Sequence, residues 1–408
     1  MFDSYRGLSK EAKYLIYSTI LPSVAYGMFY TDVSYFLTSV QGLSDATMGI
    51  VVTLMGVSTF ATSVPLGMAA DRYGRKKMLI AGNIIASATL AVFALTANPA
   101  ILFAAAILEG VSEAASMAST SALLAEKVGV DKRNSAFSLF GFAQSMAFGL
   151  GSLVIPIVVV FQALGFGVRE SHLLLYLMLA GLGLASTLIM LRVSESTKLK
   201  RAKSGLKQML PQKSRGVLAK YVLTGAIIAF GAGMVVPLMT RWMNLQYGIS
   251  DALSGPILGV SSLVIGLATL GAPFLAKKLG LVKAVVTTQA LSTVFMFATP
   301  LSSFYLTASV VYTVRAFLMN MSSPLEQSMI MGLVAEDERG TASGISGALW
   351  RLPNALSSYV GAWLMGLGLL AAPFFLATFF YSVSIILFWL FFRRTRMPEE
   401  IHDQAVMS

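Results

Sequence analysis

The chain of 408 residues is 56% hydrophobic and only 12% charged, against about 25% charged residues in soluble domains. This composition excludes a soluble globular protein and indicates a polytopic membrane protein. The net charge of +11 is found in nucleic-acid-binding proteins, but basic loops on one side of a membrane explain it better, so we expect no nucleic-acid partner. The sequence has no cysteine, and its two histidines, His172 and His402, are far apart, so we expect no metal site.

Twelve apolar segments are long enough to cross a bilayer, since a helical span needs about 20 apolar residues. They cover roughly 13–39, 46–70, 78–97, 100–126, 134–160, 172–193, 218–245, 252–276, 282–302, 304–334, 341–367 and 370–392. The sequence therefore predicts an all-α integral membrane protein, because barrel strands would alternate polar and apolar residues over about ten positions. A long basic stretch predicts three parts: an N-terminal half 1–193, a linker 194–217 and a C-terminal half 218–408.

Lysine and arginine are distributed unevenly between the two sides. The N-terminal tail, the even-numbered loops, the linker and the C-terminal tail are basic, whereas the opposite loops contain Arg169 and, at a helix end, Arg241. Basic segments remain in the cytoplasm during insertion, so both termini and the linker are predicted to be cytoplasmic, in a plasma or inner membrane.

An internal repeat runs through the chain at a constant offset of 206 residues. Gly42–Gly49 (GLSDATMG) matches Gly248–Gly255 (GISDALSG), and the same offset relates Gly74 to Gly280, Lys77 to Lys283 and Arg133 to Arg339. The serines of the repeated stretch, Ser44 and Ser250, are predicted N-caps of spans 2 and 8. Two six-helix repeats in the same orientation are typical of transporters with a substrate site between the halves, near the midplane.

The loop between spans 2 and 3, Gly67–Lys77, reads GMAADRYGRKK. It resembles the helix 2–3 signature of the major facilitator superfamily, Gly-x-x-x-Asp-Arg-x-Gly-Arg-Arg/Lys. The matching residues are Gly67, Asp71, Arg72, Gly74, Arg75 and Lys76. The resemblance implies a twelve-helix secondary transporter with helices 1, 4, 7 and 10 around a central cavity, and a monomer.

The resemblance also implies a role for this loop. Asp71 is expected to cap a helix of the other half and to pair with Arg72 and Arg75, with Glu126 as a further partner. We call these residues the loop latch (Gly67, Asp71, Arg72, Gly74, Arg75 and Glu126), and we expect the loop latch to favour the outward-open state. The alternative is a solvated basic loop that only sets topology. The second copy, Pro273–Lys283, is degenerate, with Lys277 in place of the aspartate.

Ionisable residues inside spans are rare and mark functional sites, because each costs roughly 2.5–3.5 kcal/mol on insertion scales. Three acids, Asp32, Glu109 and Glu113, are the predicted proton-coupling residues. Glu109 and Glu113 lie one helical turn apart near the midplane, so they share a face and cannot both ionise easily. For each buried charge the alternative is a structural intramembrane ion pair.

Two arginines lie inside spans of the second half. Arg315 falls on Glu109 at the repeat offset, which predicts that it pairs with Glu109 or Glu113. Arg351 has a guanidinium suited to a carboxylate or phosphate of a substrate. We predict a substrate site containing Arg315, Arg351, Asn354 and Tyr35. Glu326 is expected to support the inner gate or packing, and Arg241 and Asn244 have no clear role.

The sequence therefore predicts a secondary active transporter, not an enzyme, that moves a small organic solute, anionic or zwitterionic, by alternating access and proton coupling. No phosphate-binding loop is present, so we expect neither ATP nor any other cofactor. Helix 5 lacks the Gly-Pro-x-x-Gly-Gly core of the family's antiporters, which weakens a drug–proton exchange reading. Efflux of lipophilic cations remains the alternative, and a non-transporting receptor or scaffold is a third reading.

Overall fold

The computed structural model describes residues 9–128, 133–194, 213–335 and 339–394. These ranges are helical nearly throughout and contain no strand. The helices of the first half are α1 (Lys10–Tyr35), α2 (Asp45–Tyr73), α3 (Arg75–Leu95), α4 (Pro99–Lys127), α5a (Arg133–Val154), α5b (Ile157–Ala163) and α6 (Val168–Met190). Those of the second half are α7a (Arg215–Gly233), α7b (Met239–Tyr247), α8 (Asp251–Leu279), α9 (Leu281–Ala298), α10 (Tyr305–Leu333), α11 (Arg339–Gly366) and α12 (Ala372–Phe392). Each predicted span coincides with one helix or one broken helix.

Eight helical segments of the described ranges are long and apolar enough to cross a membrane. They include α2, α3, α4, α6, α9 and α12, and two segments that each run across a break, from α5a to α5b and from α7a to α7b. The long helices α1, α10 and α11 contain several polar side chains, among them the ionisable Asp32, Arg315 and Arg351, which lower their mean hydropathy. The start of α8, Asp251–Gly266, is a shorter apolar helix.

Helix ends follow the capping rules that the sequence indicates. The Ser44 side chain accepts a hydrogen bond from the Thr47 amide at 3.1 Å, which confirms the predicted N-cap of α2. At the repeated position, the carbonyl oxygen of Ser250 accepts from the Ser254 amide at 3.0 Å, and the side-chain cap remains a prediction. We call the helix ends at Ser44 and Ser250 the outer ends, following the topology predicted from the basic loops.

The repeat is visible in the backbone and in the packing. Gly74 and Gly280 separate consecutive helices in the two halves and both have positive φ, 114° and 78°, which favours glycine. A Cβ at Gly27 of α1 would lie 2.1 Å from the carbonyl oxygen of Phe148 in α5a, and one at Gly233 of α7a 1.9 Å from that of Asn354 in α11. All four residues are related by the same 206-residue offset, so both halves use one helix contact.

The chain divides into two compact units. The first contains Met1–Ala202 together with the outer segments Pro237–Leu263 and Ser358–Gly368, and the second contains Lys203–Val236, Val264–Ser357 and Leu369–Ser408. In the first unit α4 packs on α2 and α3, and α1 packs on α5a and α6. In the second, α12 packs on α7a and α9, and α9 packs on α10. The predicted division at 194–217 stays a prediction, and residues 195–212 of the linker lie outside the described residues.

Two helices that contribute to the site described below are irregular at their outer parts. After Tyr35, the last turn of α1 widens, and the Gln41 amide donates to the Phe36 carbonyl five residues earlier, at 2.9 Å. Helix 7 is broken between α7a and α7b by a short 3-10 turn, Val236–Leu238, which contains Pro237. Proline lacks the amide that a continuous helix requires, and such irregular turns often accompany functional sites. Both irregularities lie next to the site described below.

Candidate functional site

Three ionisable side chains from three helices meet near the outer end of the first unit: Asp32 of α1, His172 of α6 and Asp251, the first residue of α8. We call them the outer triad. The His172 Nε2 atom lies 3.1 Å from Asp251 Oδ2 and 3.9 Å from Asp32 Oδ1. The three side chains are at most 3% exposed. If the imidazole is neutral and both aspartates are ionised, the outer triad has two buried negative charges, which protons or another cation would neutralise.

Local structure fixes the orientation of His172. Its Nδ1 atom lies 2.8 Å from the carbonyl oxygen of Val168, one turn earlier in α6. The ring stacks on Phe36, with centroids 5.7 Å apart, and lies 6.2 Å from the ring of Tyr35. Packing and the backbone hydrogen bond therefore direct Nε2 towards the two aspartates.

Asp32 is fully buried, and neither of its carboxylate oxygens makes a hydrogen bond of good geometry among the described residues, although the side chains of Asp251 and Tyr176 lie beside it. The hydroxyl of the buried Tyr176, on the next turn of α6 after His172, also lacks one. A buried carboxylate without partners is costly when ionised. The ligand atoms of the outer triad lie within 4.8 Å of one another, so the geometry fits shared protons and would also fit a small metal ion, although the sequence predicted no metal site.

A second ion pair lies at the same end. Arg241 of α7b binds Asp45, the first residue of α2, through both oxygens, with Nε–Oδ1 at 2.6 Å and Nη2–Oδ2 at 3.0 Å. Its Nη1 donates to Ser39 at 2.9 Å and to Asn244 at 3.0 Å. We call Arg241 and Asp45 the outer pair. Asp45 and Asp251 are related by the repeat offset, so each half uses its repeated aspartate to bind a cationic or titratable side chain.

The predicted proton-coupling glutamates of α4 point to different helices. Glu109 is buried and accepts a hydrogen bond from Thr89 of α3. Glu113 accepts from Thr59 of α2 at 3.1 Å. The two carboxylates therefore share a helix but have separate hydroxyl partners, and their coupling role stays a prediction.

Arg315 of α10 is only 4% exposed and lies among aromatic side chains of the second unit. Its Nη2 donates to the hydroxyl of Tyr381, and its guanidinium lies over the rings of Tyr312 and Tyr381, at 5.8 and 5.3 Å from their centroids. The Nε atom has no hydrogen-bond partner among the described residues. The predicted ion pair of Arg315 with Glu109 or Glu113 remains a prediction.

The other predicted substrate residues are spread over the structure. The side-chain amide of Asn354 in α11 donates to the Ala229 carbonyl of α7a at 3.3 Å, and this hydrogen bond connects the two helices. Arg351 is half-buried one turn earlier in α11. Tyr35 lies beside His172, next to the outer triad. Glu326 accepts from Gln289 and, at 3.1 Å, from Ser322, which places it in a buried polar contact between α9 and α10.

The loop latch forms around Arg75. The Arg75 guanidinium binds Asp71 at 2.8 Å and Glu126 at 3.4 Å, as the sequence predicted. The predicted Asp71–Arg72 pair is wrong: the Arg72 guanidinium lies over the Tyr73 ring, 5.3 Å from its centroid. Consecutive residues of a helix point in different directions, so Asp71 and Arg72 of α2 diverge. Arg75 is the first residue of α3, and it meets Asp71 across the turn at Gly74. Gly74 provides the turn, and Gly67 packs against Ala118, whose Cβ would be 3.8 Å from a Cβ at that position.

Sequence reasoning missed four residues of the outer triad and the outer pair: His172, Asp251, Arg241 and Asp45. His172 was set aside because the second histidine is far away, and the repeated stretch that contains Asp251 was interpreted only as a helix start. The available signal was the repeated aspartate itself. Asp45 and Asp251 occupy equivalent helix starts, so a partner for one suggests a partner for the other.

Two six-helix repeats with buried ionisable side chains define a multi-pass membrane transporter of a small solute. Comparison with known proteins supports this class. Residues 15–224 and 221–406 match the Major Facilitator Superfamily, and the chain belongs to that family. The twelve-helix fold of this family accounts for the helices described above.

The relatives include the Multidrug resistance protein 2 of Bacillus subtilis (strain 168), 24% identical over 352 residues, which cover 85% of this chain and 86% of that protein. Among solved structures, the nucleoside transporter NupG matches with a TM-score of 0.73 at 13% identity, and the match covers 94% of this chain and 98% of NupG. The human organic anion transporter MFSD10 (TETRAN) matches with a TM-score of 0.66 at 16% identity, over 93% and 100% of the two chains. These structural matches establish the fold and leave the substrate open.

Proposed function

We propose that the protein is a proton-coupled secondary transporter of a small organic solute, anionic or zwitterionic, in a plasma or inner membrane with both termini in the cytoplasm. The proposal depends on the burial of Glu109. In the described part of the chain, its carboxyl group accepts a hydrogen bond from the hydroxyl of Thr89. A carboxyl group in this setting holds a proton when it is sealed from water and releases it when water reaches it. Alternating access produces both conditions in one cycle.

Asp32 and Glu113 complete the proposed proton-coupling set. Asp32 lies nearer the outer end, and Glu113 lies one turn beyond Glu109 in α4. Each has a different environment: Thr59 donates to Glu113, and His172 lies beside Asp32. Carboxyl groups in unequal environments exchange protons at different stages of a cycle, which suits a coupled transporter.

The substrate class rests on Arg315. Its guanidinium is buried and contacts tyrosines, and no acidic partner for it is present in the described ranges. A buried cation that lacks a carboxylate is favourable for an anionic group of a ligand, which its planar fork can bind through two hydrogen bonds. MFSD10, which shares the fold, is an organic anion transporter, and this is compatible with the proposed substrate class. Arg351, Asn354 and Tyr35 remain the other proposed substrate residues.

The test begins with a thermal-shift screen of the purified protein over organic anions, amino acids, sugars and drugs. The ligand that stabilises most is then loaded into proteoliposomes, and internal pH is followed while the ligand moves. We expect proton movement with the wild type and with the exposed control Glu170→Gln, and ligand exchange without proton movement in Glu109→Gln. Coupled proton movement that persists in Glu109→Gln and in Glu113→Gln would exclude the proposed proton role.

The ligand class has its own test. Arg315→Lys keeps the positive charge but loses the planar fork, so the affinity for an anionic ligand should fall about tenfold. The affinity for any neutral ligand from the same screen serves as the control and should stay within twofold on this scale, or about 0.4 kcal/mol. Unchanged affinity for the anion in Arg315→Lys and Arg315→Ala would contradict the anionic class.

The second candidate function is efflux of lipophilic cations. It is favoured by the name of the Bacillus subtilis relative and by the buried acids Asp32 and Glu109, which would bind the cation. Cells that express the protein should then extrude cationic dyes, and Asp32→Asn should abolish the extrusion. Dye retention equal to that of cells without the protein would exclude this candidate.

A further inference from the structure

We infer that the outer triad is a shared-proton site in which His172 and Asp251 act together with Asp32, and that its protons hold the outer ends of α1, α6 and α8 together. The inference rests on the proposed proton coupling, and it adds His172 and Asp251 to the proton-binding residues. It also states what the protons do: a loaded outer triad closes this junction, and an unloaded one opens it.

The first step is the protonation of His172. A backbone carbonyl oxygen only accepts hydrogen bonds, so the 2.8 Å contact of Nδ1 with the Val168 carbonyl places a proton on Nδ1. In the neutral ring Nε2 then has a lone pair, which faces a carboxylate oxygen of Asp251 at 3.1 Å. Two acceptors at this distance repel each other. A second proton therefore lies between Nε2 and Asp251, on one atom or the other.

The second step concerns Asp32. Its oxygens make no hydrogen bond of good geometry among the described residues, and the side chain is fully buried 3.9 Å from Nε2. Once the shared proton is counted, the outer triad still has one negative charge. A proton on Asp32 removes this charge, which is otherwise buried without hydrogen bonds. The closed junction thus takes up two protons beyond the neutral imidazole with two ionised aspartates.

Among the described residues, the charged and titratable groups around the outer triad supply no further neutralising cation, since Arg169 in the first turn of α6 is exposed. Helix α1 contributes Tyr35, and α6 contributes Tyr176, both neutral near pH 7. The nearby cation of α7b, Arg241, is bound through two hydrogen bonds to Asp45 of α2. The outer pair is therefore neutral by itself, and the charge of the outer triad depends on protons.

The consequence is mechanical. Removal of one or both protons leaves uncompensated charge in a dry junction of α1, α6 and α8, and the least costly response is to admit water by separating the helices. In this proposal the start of α8, with Asp251 as its first residue, moves away from α1 and α6. This helix start is joined to α7b by a short loop, residues 248–250. Low pH outside thus closes the junction after proton loading.

The test uses the natural absence of cysteine. Ser254→Cys places one thiol at a buried position one turn beyond Asp251, and Leu164→Cys places one at an exposed outer loop position. A membrane-impermeant maleimide labels each variant in proteoliposomes at pH 5.5 to 8.5. The ratio of the two rates cancels the pH dependence of the thiol itself and reports access to the junction.

We expect this ratio to rise about tenfold from pH 5.5 to pH 8.5 in the wild-type background, because access to Ser254→Cys follows the fraction of molecules whose junction is open. Asp251→Asn and Asp32→Asn mimic the protonated aspartates, so the ratio should stay low and flat. His172→Gln removes the titrating ring and should flatten the profile. Glu170→Gln, on the same helix and exposed, should leave the profile unchanged. A labelling ratio that stays flat with pH in the wild-type background would overturn the inference. This result does not depend on the triad variants, so it holds even if one of them fails to fold.

Two further results separate this inference from the proposed function. If ligand movement is proton-coupled but the labelling ratio does not change with pH, the shared-proton site is wrong and the proposed function is retained. If the labelling ratio depends on pH but ligand movement is not coupled to protons, the shared-proton site is supported and the proposed proton-coupled function is wrong. Thermal stabilisation by Zn²⁺ or Mn²⁺ that requires Asp32, His172 and Asp251 would overturn the proton assignment in favour of a metal site.

Discussion

The charge clusters at the two ends of the first unit use the same chemistry in different surroundings. In the outer pair, the side chains of Arg241 and Asp45 are 13% and 11% exposed and share two hydrogen bonds. In the loop latch, Arg75 and Asp71 are 27% and 45% exposed. An exposed pair contributes about 0–1 kcal/mol, whereas breaking a buried pair costs about 3–5 kcal/mol, because the remaining charge has no water. We therefore expect the outer pair to have a larger effect on conformation than the loop latch.

The clusters also differ in the span of chain that they join. The outer pair connects residues 196 positions apart, from α2 and α7b. Arg75 and Asp71 are four residues apart, and Glu126 lies in the neighbouring helix α4. Loss of the outer pair should therefore release an element of the second repeat, and loss of the loop latch should mainly loosen the first half.

The largest effect is expected for Arg241→Ala. The substitution leaves Asp45 partly buried without its cation, at a cost of about 2–4 kcal/mol that is relieved when the outer end opens. Labelling of Ser254→Cys from outside should increase more than tenfold at pH 6. The double variant Arg241→Gln with Asp45→Asn should recover part of the closure, because no charge is left unpaired. Equal labelling in the single and double variants would show that the ion pair is not responsible.

A smaller effect is expected for Asp71→Asn. The variant removes one partner of Arg75, and Glu126 at 3.4 Å stays in place. The melting temperature should fall by an amount equivalent to about 0.5–1 kcal/mol, and the difference from wild type should shrink at 1 M salt, where the Debye length is about 3 Å. The Arg241→Ala effect should persist in the same salt. A salt-independent Asp71→Asn effect would mean that the loop latch is more buried than its exposure indicates.

The smallest effect is expected for Glu11→Gln, at the start of α1 and outside its apolar part. A hydrogen bond from Ser194 and then one from Lys127 lower the pKa of Glu11 below its usual value of about 4.5. A lowered pKa stabilises the fold above the unfolded value, and this contribution is lost as pH falls through the folded pKa. The wild type should therefore melt slightly higher than Glu11→Gln at pH 7, and the difference should disappear as pH falls through the lowered pKa of Glu11 in the folded protein. A difference that grows in acid would contradict the assignment.

Much of the architecture followed from the sequence because its signals are local. Span lengths, the basic loops and the 206-residue repeat depend on residues near one another or on a constant offset. The Arg75–Asp71 pair was implied by the family resemblance, and its two residues belong to one short motif, Gly67–Lys77. The failed Asp71–Arg72 pair came from a motif that states which residues occur together but not which side chains meet.

The outer triad could not be predicted, because it depends on helix packing. His172 and Asp251 are 79 residues apart, and Arg241 and Asp45 are 196 apart. No periodicity in the sequence reports which outer ends adjoin. Asp32 was identifiable alone, since an acid inside a span is rare, but its neighbours required the structure.

The most direct measurement of the central claim is the infrared spectrum of the purified protein in the carboxyl region, where protonated and ionised carboxyl groups absorb at different frequencies. We predict protonated-carboxyl absorption at pH 7 that decreases in Asp32→Asn and again in Glu109→Gln, whereas Glu170→Gln changes only the ionised band. The account would be contradicted by a wild-type spectrum with no protonated carboxyl at pH 7, or by one that neither Asp32→Asn nor Glu109→Gln alters.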